Sequence, residues 1–164
     1  GKVKIDNFML KGMGVGGYGG KLKQLTIDQL IINHDDSVFN QNNASDGFLV
    51  DTNNDNNIMS VENISINNAY IHGGKSNNIK IENTENVYIG NLELGNKNNF
   101  QASNAARMEC KNLHIRNLTI KQDRFRIRSN NTTIDSIKIH KEYTKRFPQL
   151  IYVESLLPIE DNIS

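Results

Sequence analysis

The sequence predicts an all-β fold, a single-stranded right-handed parallel β-helix (β-solenoid) with about six coils of three short strands each. Three observations lead to this prediction: a phrase of nine residues that recurs along the chain, the alternation of apolar and polar residues within it, and turn residues between the alternating runs. The phrase reads polar–U–x–U–x–Asn–U–x–U, where U is apolar and x is any residue. Repetition on this scale is the signature of repeat architectures, so it decides the fold class ahead of local propensity.

Copies of the phrase run through most of the chain. Their central residues are Ile5, Ile27, Ile66, Ile89, Ile115 and Ile134. Each copy holds two alternating runs, which predict two strands with one face inward. A helix is excluded, because apolar residues at this spacing would scatter around its circumference. The Asn between the two runs predicts a one-residue corner with a left-handed backbone conformation.

A third short strand is expected before most copies of the phrase. The candidates are Phe48–Val50, Ile79–Ile81, Met108–Cys110 and Phe125–Ile127. Three strands and three corners in about 23 residues make one coil, and the rule for parallel crossovers predicts a right-handed one. Since Cys110 is the only cysteine, an intrachain disulfide is excluded, and its position on an inward strand face predicts a small buried hydrophobe.

The repeat divides the chain into two parts of one domain. Residues 1–140 are expected to form the coils, and residues 141–164 a terminal coil, cap or docking segment. Within the second part, Phe147–Val153 is a candidate strand and Leu156–Ile159 a candidate closing segment. The repeat begins at residue 2 without an amphipathic cap, which exposes strand edges. We therefore expect contact with missing parts of a longer chain or with another subunit.

Composition limits the expected partners. The net charge is +1, from 19 basic and 18 acidic residues, so neither nucleic acid nor, in the absence of a long apolar run, a membrane is an expected partner. The 26 asparagines alternate with apolar residues, which favours turns and stacked ladders over disorder. The Gly-rich stretch Gly12–Gly20 lacks the Lys-Ser/Thr of a nucleotide-binding loop, and no cofactor is expected.

The repeat is interrupted between Ile27 and Ile66, where 39 residues separate the two central positions. Insertions of about eight residues therefore flank the strand Phe48–Val50, and long loops on a rigid scaffold are common sites of binding and catalysis. Clustered carboxylates in such loops repel one another, which raises the pKa of at least one and sets an acid beside a base, as glycoside hydrolysis requires. The candidate catalytic residues are Asp35, Asp36 and Asp46.

Two other interpretations of these loops stay open, namely ordinary turn chemistry and a cation site made of oxygen ligands, although no metal ligand is assigned. The candidate substrate-binding residues are His34, Asp51, Asp55, His72 and Lys75. Lys80, Glu109 and Arg126 are expected to point outward on successive copies of one strand. They would form a charged ladder, either against a saccharide or as solvated salt bridges.

The repeated phrases resemble the pectin-lyase-like β-helix superfamily, which includes polygalacturonases, polysaccharide lyases and bacteriophage tailspikes. Leu25–Val38 resembles the polygalacturonase pattern in which an apolar phrase runs into paired acids, which implies a catalytic role for Asp35 and Asp36. Ser45–Phe48 resembles the Asp-Gly motif of that family and implies the same for Asp46. His72–Gly73 is similar to part of its Gly-His-Gly motif.

The Asn-rich composition is most similar to a phage tailspike or appendage. That resemblance implies recognition of a bacterial surface polysaccharide, a location in the virion tail or outside the cell, and assembly as a homotrimer. If the protein is an enzyme, the resemblance implies a polysaccharide depolymerase, a hydrolase rather than a lyase. The alternative is a non-catalytic structural or assembly module of a virion or surface protein.

Overall fold

The computed structural model of this protein describes residues 2–11, 15–18, 22–33, 48–51, 61–72, 77–95, 104–121, 125–140 and 151–154. Every regular element in these ranges is a β-strand, and they contain no helix long and apolar enough to cross a membrane. The strands are β1 (Lys2–Lys11), β2 (Val15–Tyr18), β3 (Leu22–Asn33), β4 (Phe48–Asp51), β5 (Val61–His72), β6 (Asn77–Gly95), β7 (Asn104–Ile120), β8 (Phe125–Ile139) and β9 (Ile151–Glu154).

All strand pairs described are parallel and belong to one sheet, with the order β1-β3-β5-β6-β7-β8-β9. β2 and β4 branch from this order, because β2 pairs with β4 and β4 pairs with the first part of β6. β4 thus pairs with β2 on one side and β6 on the other, and β5 pairs with β3 and β6. The prediction of an all-β fold made of parallel strands is confirmed.

The strands are longer than expected, because the short runs of each repeat join into continuous strands. β6 alone has 19 residues. Its buried apolar side chains include Ile79, Ile81, Val87, Ile89, Leu92 and Leu94. The three-residue step from Ile89 to Leu92 would place the two side chains on opposite faces of a flat strand. Since both are buried in the same apolar cluster, the strand bends between them.

The central isoleucines of the repeat line up across the sheet. Ile66 pairs in register with Ile89, and Ile89 with Ile115, and all three side chains have an exposed fraction of 0%. The predicted interior column is therefore confirmed. Burying an isoleucine side chain stabilises a fold by about 1.5–3 kcal/mol, so repeated columns of this kind supply the main stabilising contribution.

Asparagines at equivalent positions of neighbouring strands form hydrogen-bonded ladders. Asn91 donates from Nδ2 to Oδ1 of Asn68 over 2.7 Å, and Asn117 donates in the same way to Asn91 over 2.8 Å. A second ladder runs through Asn63, Asn86, Asn112 and Asn131, with distances of 2.8, 2.7 and 2.7 Å. The expected stacked ladders are confirmed.

The expected left-handed backbone at the Asn corners is wrong. Among the described non-glycine residues only Asn83 has a positive φ, of 54°. Asn68, Asn91 and Asn117 remain within continuous strands, and their amides bond the neighbouring strand instead of shaping a local turn. Their role in the fold is therefore to connect strands.

Asn83 marks a β-bulge in β6. The register between β6 and β7 shifts between Ile81 and Thr84, which face Met108 and Cys110. β6 thus has one more residue than β7 in this step, and a bulge residue with a positive φ is well suited to Asn.

Cys110 is buried in the apolar cluster, as its position in the repeat predicted. Burial raises the pKa of the Cys110 thiol to about 12, although a hydrogen bond with Ser129 acts in the opposite direction. The thiol is therefore protonated at neutral pH, and a protonated, buried thiol is a poor nucleophile.

Of residues 141–164 the structure describes β9, which pairs in register with Phe125–Arg128 at the start of β8. β9 includes the last residues of the candidate strand Phe147–Val153. The candidate closing segment Leu156–Ile159 lies outside the described residues.

Candidate functional site

Most of the residues predicted to bind or cleave a substrate lie outside the described residues. These are His34, Asp35, Asp36, Asp46, Asp55 and Lys75. Their roles stay predictions from the sequence. Of the two remaining candidates, Asp51 is the last residue of β4 and His72 is the last residue of β5.

His72 belongs to a small polar cluster contributed by three neighbouring strands of the sheet. Its Nε2 lies 2.9 Å from Oε1 of Glu93 on β6, and the same oxygen accepts a hydrogen bond from Nζ of Lys121, which follows β7. All three side chains are partly buried. Glu93 lies 21 residues after His72 in the chain, and Lys121 lies 28 residues after Glu93. No local sequence motif therefore indicates this cluster.

Lys121 and His72 determine the direction in which the pKa of Glu93 is shifted. Partial burial raises the pKa of its carboxyl, but the hydrogen bonds and charges of Lys121 and His72 outweigh burial and hold the pKa below its ordinary value of 4.5. Glu93 is thus ionised over the whole neutral range and accepts hydrogen bonds from both neighbours.

A charged surface lies along the first part of β6, β7 and β8. Lys80, Arg107 and Arg126 occupy one row in register, whereas Glu109 pairs with Arg128, two residues further along. The expectation that Lys80, Glu109 and Arg126 share a row is therefore wrong in its register. The cause is the choice of Met108–Cys110 as the third strand, because the register sets Ala106–Met108, two residues earlier, opposite Ile79–Ile81 and Phe125–Ile127.

Within this surface two carboxylates are bound by several cations. Nζ of Lys80 lies 2.8 Å from Oε2 of Glu82, and Nε of Arg107 lies 2.8 Å from Oε1 of Glu82 and 2.9 Å from Oε1 of Glu109. Arg107 also approaches Glu109 with Nη2, at 2.8 Å, and Nη1 of Arg128 does so at 3.4 Å. This geometry corresponds to the salt-bridge interpretation of the ladder, with each carboxylate already occupied by cations.

Glu82 is the most deeply buried carboxylate of this surface. Burial raises the pKa of its carboxyl above 4.5 and prevails over the lowering effects of Lys80 and Arg107, while the charge of Glu109 raises it further. The pKa of Glu82 is therefore raised and the pKa of Glu93 is lowered from the same ordinary value of 4.5.

We expect opposite pH dependences when these two residues are changed to Gln. A raised pKa contributes stability below pH 4.5 that is lost as the pH rises through the folded-state pKa, and a lowered pKa contributes stability above pH 4.5 that is lost as the pH falls through it. The melting temperature of Glu82→Gln should thus lie furthest below wild type at acidic pH, and that of Glu93→Gln at neutral pH. Thermal unfolding of the three proteins from about pH 4 to about pH 7 measures this; parallel curves would contradict the assignment.

From β3 to β8 a third outward row carries no Asp, Glu, Lys or Arg, and the residue that continues it in register on β1 is Lys4. The part from β3 to β8 crosses β3, β5, β6, β7 and β8 in register and consists of Thr26, Ser65, Tyr88, His114 and Thr133. All five side chains are half-buried or exposed. We call these five residues the hydroxyl row. It presents hydroxyl groups and two rings at intervals of one strand spacing, about 4.8 Å.

The centre of the hydroxyl row is held in a defined geometry. The rings of Tyr88 and His114 meet edge to face, with centroids 5.4 Å apart and an interplanar angle of 76°. Nε2 of His114 lies 3.1 Å from both carboxylate oxygens of Asp135 on β8. Asp135 thereby orients the imidazole, and the imidazole orients the edge of the Tyr88 ring, whose side chain is 37% exposed.

Sequence reasoning did not single out Tyr88 or His114. Both occupy the x position between the first two apolar residues of the phrase, which is half-buried or exposed in the copies on β3, β5, β6, β7 and β8. An aromatic residue and a histidine at the same x position of two consecutive copies are the signal that could have identified them.

The described residues contain no group of three His, Cys, Asp or Glu side chains close enough to hold a metal ion. No protein-family model, no curated protein and no solved structure matches this chain.

Proposed function

We propose that this chain is a right-handed parallel β-helix that binds a bacterial surface polysaccharide, in the manner of a phage tailspike or appendage outside the cell. The hydroxyl row is its binding surface. The single observation that carries the proposal is this row, which carries no Asp, Glu, Lys or Arg from β3 to β8 and has a partly exposed, oriented tyrosine at its centre.

The winding is supported by three features of the sheet. Equivalent residues of successive layers stay in register, the buried positions continue through three-residue steps that bend the strand, and β2–β3, β4–β5 and β6 stack layer upon layer. Right-handedness follows from the general rule for parallel crossovers.

Glycan binding is supported by the chemistry of the hydroxyl row. Sugar hydroxyls exchange hydrogen bonds with Ser and Thr hydroxyls and with an imidazole, and the apolar face of a sugar ring packs against a tyrosine ring. An extended polysaccharide would follow the row across the strands. The charged surface around Glu82 is less suitable, because its carboxylates and cations already bind each other.

Changing Tyr88 to Ala tests this surface. We expect the variant to bind a responsive capsular or cell-wall polysaccharide at least tenfold more weakly, a loss of about 1.4 kcal/mol. Tyr70→Ala is the matched control, because Tyr70 is equally exposed, at 38%, and lies outside the hydroxyl row. Binding to a panel of immobilised polysaccharides gives the measurement. Equal affinity of wild type and Tyr88→Ala would show that the hydroxyl row is not the binding surface.

Cleavage of the glycan is a separate prediction that depends on Asp35, Asp36 and Asp46. It is measured by the appearance of new reducing ends, or of unsaturated products if the reaction is a lyase reaction. Asp35→Asn and Asp46→Asn should abolish the products while leaving binding through Tyr88 intact. Wild-type rates in both variants would exclude these acids as the catalytic pair.

A non-catalytic structural module is the second candidate function. The two asparagine ladders favour it, because they bond layer to layer along most of the sheet and stiffen it without the need for a ligand. Absence of binding to every polysaccharide tested, with a folded and stable protein, would favour this candidate.

A further inference from the structure

Arg116 on β7 is an exposed cation whose side chain has no ion pair or hydrogen bond with any residue that the structure describes. The other described arginines, Arg107, Arg126 and Arg128, all take part in polar or electrostatic interactions. A guanidinium presents five N–H donors in a planar fork. Those of Arg116 are therefore available to a ligand.

The strand register explains why Arg116 is unpaired. Its neighbour on β6 is Gly90, which has no side chain, and its neighbour on β8 is Asp135. Both carboxylate oxygens of Asp135 lie 3.1 Å from Nε2 of His114, so this carboxylate is already bound. Asp28, in the same row, lies three strands away, about 14 Å. That distance exceeds the Debye length of about 8 Å at physiological ionic strength.

Arg116 lies beside the centre of the hydroxyl row. It follows His114 by two residues on β7, and the intervening Ile115 is buried, so both side chains share one outward face. Tyr88 lies in register with His114 on β6, which places its Cα about 8 Å from that of Arg116. A sugar ring that stacks on Tyr88 can therefore bring one of its exocyclic groups within reach of the guanidinium.

We propose that the hydroxyl row selects glycans that carry an anionic group, a carboxylate or a phosphate, and that Arg116 binds this group. The inference rests on the function proposed above, because it takes the hydroxyl row as the binding surface. Carboxylate and phosphate oxygens accept parallel, charge-assisted hydrogen bonds from a guanidinium, which a neutral hydroxymethyl group cannot do. Tyr88 thus supplies stacking that many sugars share, whereas Arg116 distinguishes acidic from neutral glycans.

Chemical removal of the anionic groups from the glycan tests this selectivity. The probes are the capsular and cell-wall polysaccharides that bind the wild-type protein, each compared with its own neutral form. Carbodiimide activation followed by borohydride reduction converts carboxylates to hydroxymethyl groups, and hydrofluoric acid removes phosphate substituents. We expect the neutral form to bind about tenfold more weakly or less, and the treatment that causes the loss identifies the group.

Arg116→Gln removes the charge from the protein instead. It should bind the acidic form about tenfold more weakly than wild type does, yet bind the neutral form equally well, because the two changes remove one and the same interaction. Arg116→Lys keeps the charge without the planar fork and should retain part of the preference. Lys138→Gln is the matched control, since Lys138 is an exposed cation in register with Thr119, beyond the asparagine ladder of Asn117. Its preference for the acidic form should equal that of wild type.

Selectivity for anionic groups can fail while glycan binding stands. If a polysaccharide that requires Tyr88 binds equally well in its acidic and neutral forms, or if Arg116→Gln keeps the full preference, the role of Arg116 is overturned and the proposed function is not. If the wild-type protein binds no polysaccharide of the panel, both are overturned. Circular dichroism of each variant verifies that a loss of affinity does not come from unfolding.

Discussion

Replacing Ile89 with Ala is expected to lower the free energy of unfolding by about 2–5 kcal/mol, the range found for buried Ile to Ala changes. Ile89 is fully buried at the centre of the column between Ile66 and Ile115. Both neighbours are fixed by the register of their strands, so they cannot move to fill the cavity. Because small domains are stable by only about 5–15 kcal/mol, this one change removes a large part of the total.

Urea denaturation followed by circular dichroism measures the effect. Ile137→Ala is the control, since Ile137 is also an apolar position of the repeat, three residues after the one equivalent to Ile89, but is 44% exposed. Its side chain is partly in water already, and we expect a loss of about 1 kcal/mol or less. Similar losses in the two variants would contradict the assignment of Ile89 to the interior.

The interior of the fold could be predicted from the sequence because it repeats. Ile66, Ile89 and Ile115 hold the same place in the phrase, and parallel pairing of equivalent strands then sets them in one column. The conformation of the asparagines could not be predicted in this way. The tolerance of Asn for left-handed backbone is a local preference, and at Asn91 the hydrogen bonds to Asn68 and Asn117 on other strands prevail over it.

The outward surface was harder to predict, since it depends on register and not on pattern. The register of β6 with β7 sets Arg107 opposite Lys80, so that both cations reach Glu82, whereas counting along the sequence had set Glu109 in that row. The cluster of His72, Glu93 and Lys121 likewise draws its residues from three neighbouring strands or their ends. His72 was a candidate from its sequence context, but its partners follow only from the pairing of the strands.

The second large effect is expected at Gly90, where a side chain would meet backbone. A Cβ atom on Gly90 would lie 2.5 Å from the carbonyl oxygen of Asn67 on the neighbouring strand. Asn67 cannot easily withdraw, because its strand is bonded in register on both sides and its Nδ2 donates to Oδ1 of Asp28 over 2.7 Å. We expect Gly90→Ala to cost about 1–3 kcal/mol, the range of overpacked interiors.

Gly95→Ala on the same strand is the control. There the new Cβ would lie 3.3 Å from Cβ of Lys121, a partly exposed side chain that can shift by a few tenths of an ångström. Both changes gain the same advantage of removing Gly from a strand, about 0.5–1 kcal/mol, so the difference between them isolates the clash at Gly90. Comparison of their urea midpoints gives that difference. If Gly90→Ala is as stable as Gly95→Ala, then β5 and β6 lie further apart at Gly90 than the distance of 2.5 Å between its added Cβ and the Asn67 carbonyl oxygen indicates.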